Sequence, residues 1–519
     1  MHCSSYSVSC ECGKEMKTII LGPPGTGKTY ALLELVEKAI ASGINTRNIG
    51  YFTFTKDAAR VAKKRAMSSF KLDEDDFPFF RTLHSLAYGQ AKLKKERVVD
   101  TADYKEFGFK NGLTIKRAAH SNADGLFDSD NAYLSLINKA RVSMVDVMTI
   151  YDRNEHLVDV ERDVLYLLDQ EYTKFKRDKG MYDYNDMLQK FVDQDLSPKF
   201  EILFIDEAQD LSPLQWAMVR KMWDNSDKTY IAGDDDQAIF KWAGADVDHF
   251  IALKDQVDHI KVLDRSYRVP PGPIFNLAQS IRSRITNKYN KEYKPKEGQS
   301  GELNYHSDVT DVDMSEGEWL VLGTAHHFFE TIGEHCEDNG WYYRKSKGKN
   351  AVPVELVQAI ERWEQWRKGG AVEAILIKNI YNYLGNNVTM GYRKANTLNK
   401  EKMYTQEECI AEHGLKTNAV WYKAFDELDY FTESYIRAML ARGENIRETP
   451  RIIFKSIHAA KGGEADNVLL MPDITKASLD AAEHDPDDSH RLFYVAVTRA
   501  KKTLNIIEPL NYERSYPYV

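Results

Sequence analysis

The chain has 519 residues, a length at which at least two domains are expected, because single hydrophobic cores stop growing at roughly 250–300 residues. Its composition includes no run near the roughly 20 apolar residues of a membrane span and no apolar signal-peptide core at the N-terminus, which predicts a soluble cytoplasmic protein without a membrane partner. The net charge of −9 argues against a surface coated with positive charge, but a local basic groove for nucleic acid remains compatible with it.

The five cysteines are too few and too scattered for a disulfide framework. Three of them, Cys3, Cys10 and Cys12, stand near His2 at the start of the chain and could in principle bind zinc. Their spacing fits no standard zinc finger, and a tail without a metal explains it as well. We therefore assign no metal to this segment.

A phosphate-binding loop follows the first predicted strand. Residues 22–29 read Gly-Pro-Pro-Gly-Thr-Gly-Lys-Thr, after an apolar strand at 18–21 and before a helix at 30–41. In this order, backbone N–H groups and the helix N-terminus would cradle phosphates, Lys28 would reach the β- and γ-phosphates, and Thr29 would bind Mg²⁺. The predicted nucleotide-binding residues are Gly22, Pro23, Pro24, Gly25, Thr26, Gly27, Lys28 and Thr29.

Strands and helices continue to alternate in two separate parts of the chain. The first part has predicted strands at 49–54, 201–205 and 229–232 and a helix at 57–69, and the second has strands at 452–454, 468–470 and 504–507 and a helix at 489–501. Polar residues after the strands are typical of parallel α/β sheets with a site along that edge. Two α/β cores are therefore predicted, with helical insertions at 91–180 and 335–445.

Asp206 and Glu207 stand at the end of the predicted strand 201–205. At that position Asp206 would hold Mg²⁺ together with Thr29, and Glu207 would polarise the attacking water. An acidic helix N-terminus is the simpler alternative, but the upstream phosphate loop favours the catalytic interpretation.

Eight further segments carry short motifs, among them Asp-Glu-Ala-Gln-Asp from Asp206 and Tyr-Val-Ala-Val-Thr-Arg-Ala ending at Ala500. They lie at 54–59, 82–87, 183–188, 206–215, 233–245, 263–268, 456–464 and 491–500. Together with the phosphate loop, these segments resemble the motifs of the UvrD/Rep-like superfamily 1 DNA helicases and follow that family's order. The resemblance covers both cores but neither the N-terminal tail nor the insertions.

This resemblance implies two RecA-like P-loop cores with parallel sheets, each carrying a mainly helical insertion. The first, ATP-binding core would comprise 1–90 and 181–265 with the insertion 91–180, and the second 266–334 and 446–519 with the insertion 335–445. The implied activity is that of an ATP-dependent DNA helicase, which uses ATP and Mg²⁺, acts on single-stranded DNA and duplex junctions, and moves 3′→5′.

The resemblance also implies roles for residues outside the phosphate loop. Gln237 would sense the γ-phosphate, Tyr267 would stack on the adenine, and Glu464 would hold the ribose hydroxyls. Arg268 and Arg499 would stabilise the charge of phosphoryl transfer. Both arginines belong to the predicted second core, so ATP would draw the cores together and hydrolysis would release them. A helix cap for Arg499 and a core position for Tyr267 are the simpler alternatives.

Aromatic residues predict the path of single-stranded DNA across both cores. Phe54, Phe240 and Trp242 occupy the family's base-contacting positions, and aromatic faces stack on bases without reading sequence. Phe54 is equally compatible with the core, whereas Trp242, which follows Lys241, favours an exposed platform. The expected contacts to the DNA backbone are Lys56, His84 and His458.

Three features depart from the family's pattern. Residues 1–28 contain no glutamine to read the adenine edge, Ala243 stands where the family usually has arginine, and the insertions are shorter than usual. Two alternatives therefore stay open beside the DNA helicase. One is an RNA helicase of the same superfamily, and the other is an ATP-gated single-strand clamp or translocase that does not unwind duplexes.

Overall fold

The computed structural model describes residues 16–54, 56–70, 72–120, 127–154, 159–390 and 398–519, so the tail with Cys3, Cys10 and Cys12 lies outside the described residues. The chain divides into two compact units. Unit 1 contains the described residues up to Gly301 together with Lys476–Thr498, and unit 2 contains Glu302–Thr475 and Arg499–Val519. The chain therefore passes from one unit to the other three times.

Unit 1 is built on a six-stranded sheet in which every neighbouring pair is parallel. The strands of the unit are β1 (Met16–Leu21), β2 (Ile49–Thr53), β3 (Phe80–Thr82), β4 (Ala118–His120), β5 (Phe127–Ser129), β6 (Phe200–Ile205), β7 (Ser226–Gly233) and β8 (His259–Val262). The sheet order is β3-β2-β6-β7-β1-β8, and β4 pairs with β5 in a separate hairpin. All of β2 is buried, as expected for a strand covered on both faces, whereas β8 is exposed at the edge.

The helices of unit 1 are α1 (Lys28–Ala41), α2 (Lys56–Phe70), α3 (Leu83–Gln90), α4 (Thr101–Lys110), α5 (Ala132–Val142), α6 (Val147–Asn154), α7 (Arg162–Lys179), α8 (Tyr184–Asp193), α9 (Pro213–Asp224), α10 (Val247–Ala252) and α11 (Pro273–Arg284). Helices α4 to α7 and the β4–β5 hairpin share a hydrophobic cluster of their own, which includes Phe107 and Leu165. This insertion therefore packs largely against itself.

A buried ion cluster ties the insertion to α8. Lys176 of α7 lies 2.5 Å from both Asp183 and Asp186, and Arg141 of α5 lies 2.8 and 3.2 Å from the same two carboxylates. Asp183 also caps α8, because its side chain accepts the N–H of Asp186. Burial alone would raise the pKa of Asp183, but Lys176 and Arg141 lower it. The motif at 183–188 thus joins the insertion to the core.

Unit 2 contains a second six-stranded, wholly parallel sheet. Its strands are β9 (Glu302–His306), β10 (Trp319–Gly323), β11 (Tyr343–Arg344), β12 (Val372–Glu373), β13 (Met403–Tyr404), β14 (Ile452–Ser456), β15 (Ala465–Leu470) and β16 (Ala500–Ile507). The sheet order is β11-β14-β10-β15-β16-β9, and β12 pairs with β13 in a separate two-stranded sheet.

The helices of unit 2 are α12 (Glu330–Asp338), α13 (Val354–Arg367), α14 (Ala374–Tyr381), α15 (Gln406–Glu412), α16 (Trp421–Ala424) and α17 (Tyr430–Arg442). One hydrophobic cluster runs from the sheet, at Phe454, into the insertion, at Trp363 and Trp366. The segment that returns to unit 1 adds α18 (Lys476–His484) and α19 (Pro486–Val497) to that unit.

The two parallel sheets confirm the predicted fold class, but the division of the chain differs from the prediction in three places. Residues 266–301 and 476–498 belong to unit 1, although the motif order had placed them in the second core. The second half of helix α12 and strand β11 pack as parts of the unit 2 fold, although they fall within the predicted insertion 335–445. Within the described part of the chain, no helix is both long and apolar enough to cross a membrane.

Candidate functional site

The phosphate loop joins β1 to α1 and has the backbone that only glycine adopts easily. Gly25 and Gly27 have φ of +71° and +82°, in the left-handed region. A β-carbon at Gly22 would lie 2.3 Å from Cγ of Lys28, so the loop has no room for a side chain there. The Lys28 ammonium donates to the Gly22 carbonyl at 2.8 Å, which places a cation across the loop at the helix N-terminus. This arrangement suits a bound polyphosphate.

Four neighbouring strands bring the other predicted residues to the same edge of the sheet. Strands β6, β7, β1 and β8 lie side by side, so their carboxyl ends are adjacent. Asp206 follows β6, Asp234 and Gln237 follow β7, the phosphate loop follows β1, and the chain after β8 leads to Arg268. The sheet order is therefore the reason why segments about 180 residues apart in sequence meet, as the contact between Thr29 and Asp206 shows.

Asp206 and Thr29 offer a donor set for a magnesium ion. The Thr29 hydroxyl donates to Asp206 Oδ2 at 2.8 Å, and the same oxygen accepts from the Tyr51 hydroxyl at 3.0 Å. Burial and the neighbouring Glu207 charge raise the pKa of Asp206 to about 6. One hydroxyl and one carboxylate fit Mg²⁺, which takes its remaining ligands from phosphates and water. Tyr51 lies in β2, outside all of the motif segments, so the sequence did not predict its contact with Asp206.

Glu207 has a backbone that is unusual for its residue type. Its φ of +54° lies in the left-handed region, where a non-glycine residue is strained. Its carboxylate accepts a hydrogen bond from Gln209 Nε2 at 2.6 Å. The geometry places a carboxylate next to Asp206, the predicted magnesium ligand, in a position that suits the predicted activation of water.

Gln237 is attached to a buried cluster of opposite charges. Its Nε2 donates to Asp234 Oδ2 at 2.5 Å. Lys291 lies 3.0, 2.5 and 2.8 Å from Asp234, Asp235 and Asp236, and none of these four side chains is exposed. Burial alone would lower the pKa of Lys291, but the three carboxylates raise it well above its ordinary value.

Two arginines complete this cluster. Arg282 donates to Asp236 at 2.6 Å, and Arg491 donates to the backbone carbonyls of Asp235 and Asn287 at 3.1 and 2.6 Å. Sequence reasoning missed Lys291, Arg282 and Arg491 in this role. The sequence signal that could have predicted a buried ion cluster is the run of three aspartates, 234–236, after a buried strand, because buried carboxylates need cations as partners.

We expect Lys291→Met to destabilise unit 1 by about 3–5 kcal/mol, because it leaves buried carboxylates without their cation. Such a loss lowers the midpoint of thermal unfolding by at least roughly 5 °C, which calorimetry measures. Lys221→Met is the matched control, since Lys221 pairs with Asp195 at 3.5 Å on the surface and should matter little. An unchanged midpoint for Lys291→Met would contradict the stabilising role of this cluster.

The segment 266–268 is hydrogen-bonded directly to the phosphate loop. The Ser266 hydroxyl donates to the Pro24 carbonyl at 2.8 Å, and the Tyr267 N–H donates to the Gly25 carbonyl at 2.8 Å. A β-carbon on Gly25 would lie 2.4 Å from Cβ of Arg268. The Tyr267 side chain is 76% exposed, so its ring is accessible for stacking. Arg268 and Tyr267 therefore adjoin the loop within unit 1, which corrects their assignment to the second core.

Arg499 and Glu464 lie close together in unit 2. Arg499 is buried, and its Nη1 donates to the Gly463 carbonyl at 3.2 Å. Its own carbonyl accepts the N–H of Ala465 at 3.2 Å. The Glu464 carboxylate is partly exposed and lies 4.0 Å from Lys501. The two residues with predicted nucleotide roles in this unit are therefore held at the start of β15 and β16.

The predicted DNA-binding residues fall into two environments. Phe54 and Phe240 are buried, with ring centroids 5.3 Å apart, whereas Trp242 is 53% exposed beside Phe240. His84 is half-buried, with its ring 5.6 Å from that of Tyr184. Lys56 is exposed at the start of α2, and His458 is half-buried after β14 in unit 2. Of the three aromatic residues, Trp242 offers the accessible face.

We expect Trp242→Ala to weaken binding of single-stranded DNA by about 1–3 kcal/mol, because one stacking face is lost. It should also lower DNA-stimulated hydrolysis while basal hydrolysis stays nearly unchanged. Fluorescence anisotropy with labelled oligonucleotides measures the affinity, and Tyr166→Ala, at an exposed tyrosine of α7, is the control. Equal losses of basal activity and thermal stability would instead make Trp242 a packing residue.

Two family profiles match this chain, one in its N-terminal half and one near its C-terminus. The profile of the UvrD/REP helicase N-terminal domain matches residues 8–258, and that of the UvrD-like helicase C-terminal domain matches residues 452–507. Together the matches cover more than half of the chain.

Several curated relatives share about one fifth of their aligned residues with this chain. "ATP-dependent DNA helicase PcrA" of Bacillus subtilis is 22% identical over 66% of this chain and 47% of its own length. "ATP-dependent DNA helicase Rep" of Escherichia coli is 22% identical over 60% and 47%, and PcrA of Staphylococcus epidermidis 20% over 94% and 80%. The matches thus span about half of the Bacillus and Escherichia proteins. A solved structure, "The structure of PRRSV helicase", aligns with 96% of this chain and 53% of its own at 10% identity and a TM-score of 0.33.

Proposed function

Because the chain belongs to the UvrD/Rep helicase family, we propose that it is an ATP-dependent DNA helicase that translocates 3′→5′ on single-stranded DNA and unwinds duplexes. The observation that carries the proposal is the group of phosphate loop, Thr29–Asp206 pair and Arg268 at one sheet edge of unit 1. Bound ATP and Mg²⁺ would be held by Lys28, Thr29 and Asp206. The family relationship supports the DNA substrate and the direction of movement.

The proposed motor uses residues of both units. Unit 1 carries the phosphate loop, Glu207 and Gln237, and unit 2 carries Arg499 and Glu464. We propose that ATP closes the two cores on each other and that hydrolysis and product release open them, which moves DNA stepwise. Glu207 would accept the proton of the attacking water, and Arg268 and Arg499 would stabilise the charge on the transferred phosphoryl group.

Strand displacement on duplexes with 3′ or 5′ single-stranded tails tests this function. We expect ATP-dependent unwinding of the 3′-tailed duplex and little of the 5′-tailed one. Unwinding only from 5′ tails would reverse the proposed direction. DNA-stimulated hydrolysis without strand displacement would favour the clamp or non-unwinding translocase, and stronger stimulation by RNA would favour the RNA helicase.

Base selection provides a further prediction. Since residues 1–28 contain no glutamine, recognition would depend mainly on stacking with Tyr267, and every base has a π-face. We expect kcat/KM for GTP within about tenfold of that for ATP, which leaves only about 1.4 kcal/mol of discrimination. The measurement is kcat/KM for all four ribonucleotides. A thousandfold preference for ATP would mean that another group, such as a backbone carbonyl of residues 10–16, reads the adenine.

A further inference from the structure

Gln209 lies between two parts of the nucleotide site and contacts both. Its Nε2 donates to Glu207 Oε2 at 2.6 Å and to Asp210 Oδ2 at 3.2 Å, and its Oε1 accepts the backbone N–H of Asp234 at 2.9 Å. The side chain is fully buried. Rotating the amide by half a turn would set its oxygen against carboxylates and its NH₂ group against an N–H. The surroundings therefore fix its orientation.

Gln209 is a fixed hydrogen-bond donor to the Glu207 carboxylate. The left-handed backbone of Glu207 is strained, and such a conformation persists where the surrounding structure holds it. The neighbouring Asp206 carboxylate repels that of Glu207, which is one of the causes that raise the pKa of Asp206. The Gln209 amide donates a hydrogen bond to Glu207 Oε2 and, because it is neutral, adds no charge to the site.

The amide oxygen of Gln209 is connected to Gln237 through Asp234. Asp234 accepts from Gln237 Nε2 through its carboxylate and donates to Gln209 through its backbone N–H. Asp234 is itself held by Lys291 at 3.0 Å inside the buried cluster. Hydrogen bonds thus connect the side chains of Glu207 and Gln237 through Gln209 and Asp234, and Lys291 anchors this connection.

We propose that Gln209 is a positioning residue that fixes the Glu207 carboxylate relative to the Gln237 amide, with Asp234 as their common anchor. This inference rests on the proposed hydrolysis of ATP at this site, and it adds a defined partner for the water-activating group. The distance between the Glu207 carboxylate and Gln237, the predicted γ-phosphate sensor, stays constant because both side chains are hydrogen-bonded to the same short network. A movement of Gln237 or Asp234 after β7 would therefore shift Gln209 and, through it, the Glu207 carboxylate that activates the attacking water.

Gln209→Glu tests the bond to Glu207, because the ionised carboxylate can still accept the Asp234 N–H but cannot donate to Glu207, and comparing the loss at rising pH ensures that the new carboxyl is ionised. We expect kcat for DNA-stimulated hydrolysis to fall about 10- to 100-fold, the usual effect of losing an orienting partner. The equilibrium Kd for ATP should change less than threefold. Gln189→Glu is the matched control, since Gln189 donates to Asp193 at 2.7 Å on α8, away from this edge, and should leave both values unchanged.

A double-mutant cycle separates positioning from a merely structural role. If Gln209 acts through Glu207, the Gln209→Glu change should reduce single-turnover hydrolysis by less than about twofold in the Glu207→Gln background. A full additional loss in that background would overturn the proposal. Gln209→Met removes both amide bonds and serves as a second variant if Gln209→Glu lowers the melting temperature.

The outcomes distinguish this inference from the proposed function. A wild-type protein without DNA-stimulated hydrolysis overturns the proposed function. Wild-type hydrolysis together with kcat values within twofold for both Gln209 variants overturns only the positioning role. A large loss of ATP affinity in folded Gln209→Glu also counts against it, because the proposed network orients the reacting groups and does not bind the nucleotide.

Discussion

Lys28→Ala is expected to reduce ATP hydrolysis to below roughly one-hundredth of the wild-type rate, because it removes the cation that crosses the phosphate loop. The lost interaction lies where negative charge accumulates on the β- and γ-phosphates, so binding of ATP should weaken as well. Steady-state hydrolysis with saturating single-stranded DNA measures the effect. Lys38→Ala changes an exposed lysine in the last turn of the same helix and should leave hydrolysis intact.

Glu207→Gln should show the complementary result, in which ATP binds but is not cleaved. The substituted amide can still accept from Gln209 Nε2, so the local geometry is preserved while the proton acceptor is lost. Equilibrium binding of ATP and single-turnover hydrolysis separate the two effects. Near-normal turnover in this variant would remove Glu207 from the role of general base.

Arg268→Ala and Arg499→Ala are each expected to slow hydrolysis by about 10³-fold or more, with a much smaller change in ATP affinity. An arginine that contacts the transferred phosphoryl group stabilises the transition state more than the bound ground state. Rapid-quench measurement of a single turnover, together with equilibrium binding, tests this. Arg437→Ala is a control in unit 2, since Arg437 forms an exposed pair with Glu433.

The two arginines also test different parts of the mechanism. Arg268 adjoins the phosphate loop within unit 1, so its effect requires no movement of unit 2. Arg499 belongs to unit 2, so a large effect of Arg499→Ala would support the proposed closure of the cores. Full hydrolysis by Arg499→Ala would show that Arg499 supplies no cation to the reaction and would remove this support for closure.

The parts of the site that sequence analysis could predict are those whose geometry is contained in a local pattern. A strand, a glycine-rich loop and a helix form the phosphate loop wherever they occur in that order, and residues after parallel strands meet at one edge. The contact between Thr29 and Asp206 could be anticipated in this way, although they are 177 positions apart. The family order of the motifs supplied the rest of the prediction.

The remaining features depend on packing between segments that share no pattern. Lys291 neutralises aspartates more than fifty positions earlier, and nothing in its own neighbourhood marks it as different from a surface lysine. Phe54 and Phe240 stack on each other in the interior. Their own sequence neighbourhoods could not predict this, because the burial of an aromatic side chain depends on which distant segments cover it. The membership of 266–301 and 476–498 in unit 1 follows from hydrogen bonds of Ser266 and Arg491, which motif order cannot reveal.

The return of residues 476–498 to unit 1 has a consequence for the order in which the protein is made. On the ribosome, unit 1 emerges first, but Arg491 follows only after all of residues 302–475 have been synthesised. At about 5–20 residues per second, that delay is roughly 10–35 s. During this time the aspartate loop after β7 lacks its hydrogen bond from Arg491 of α19, although the phosphate loop and Asp206 are already present. A nascent chain of this protein is therefore expected to complete its nucleotide site only after most of unit 2 has been synthesised.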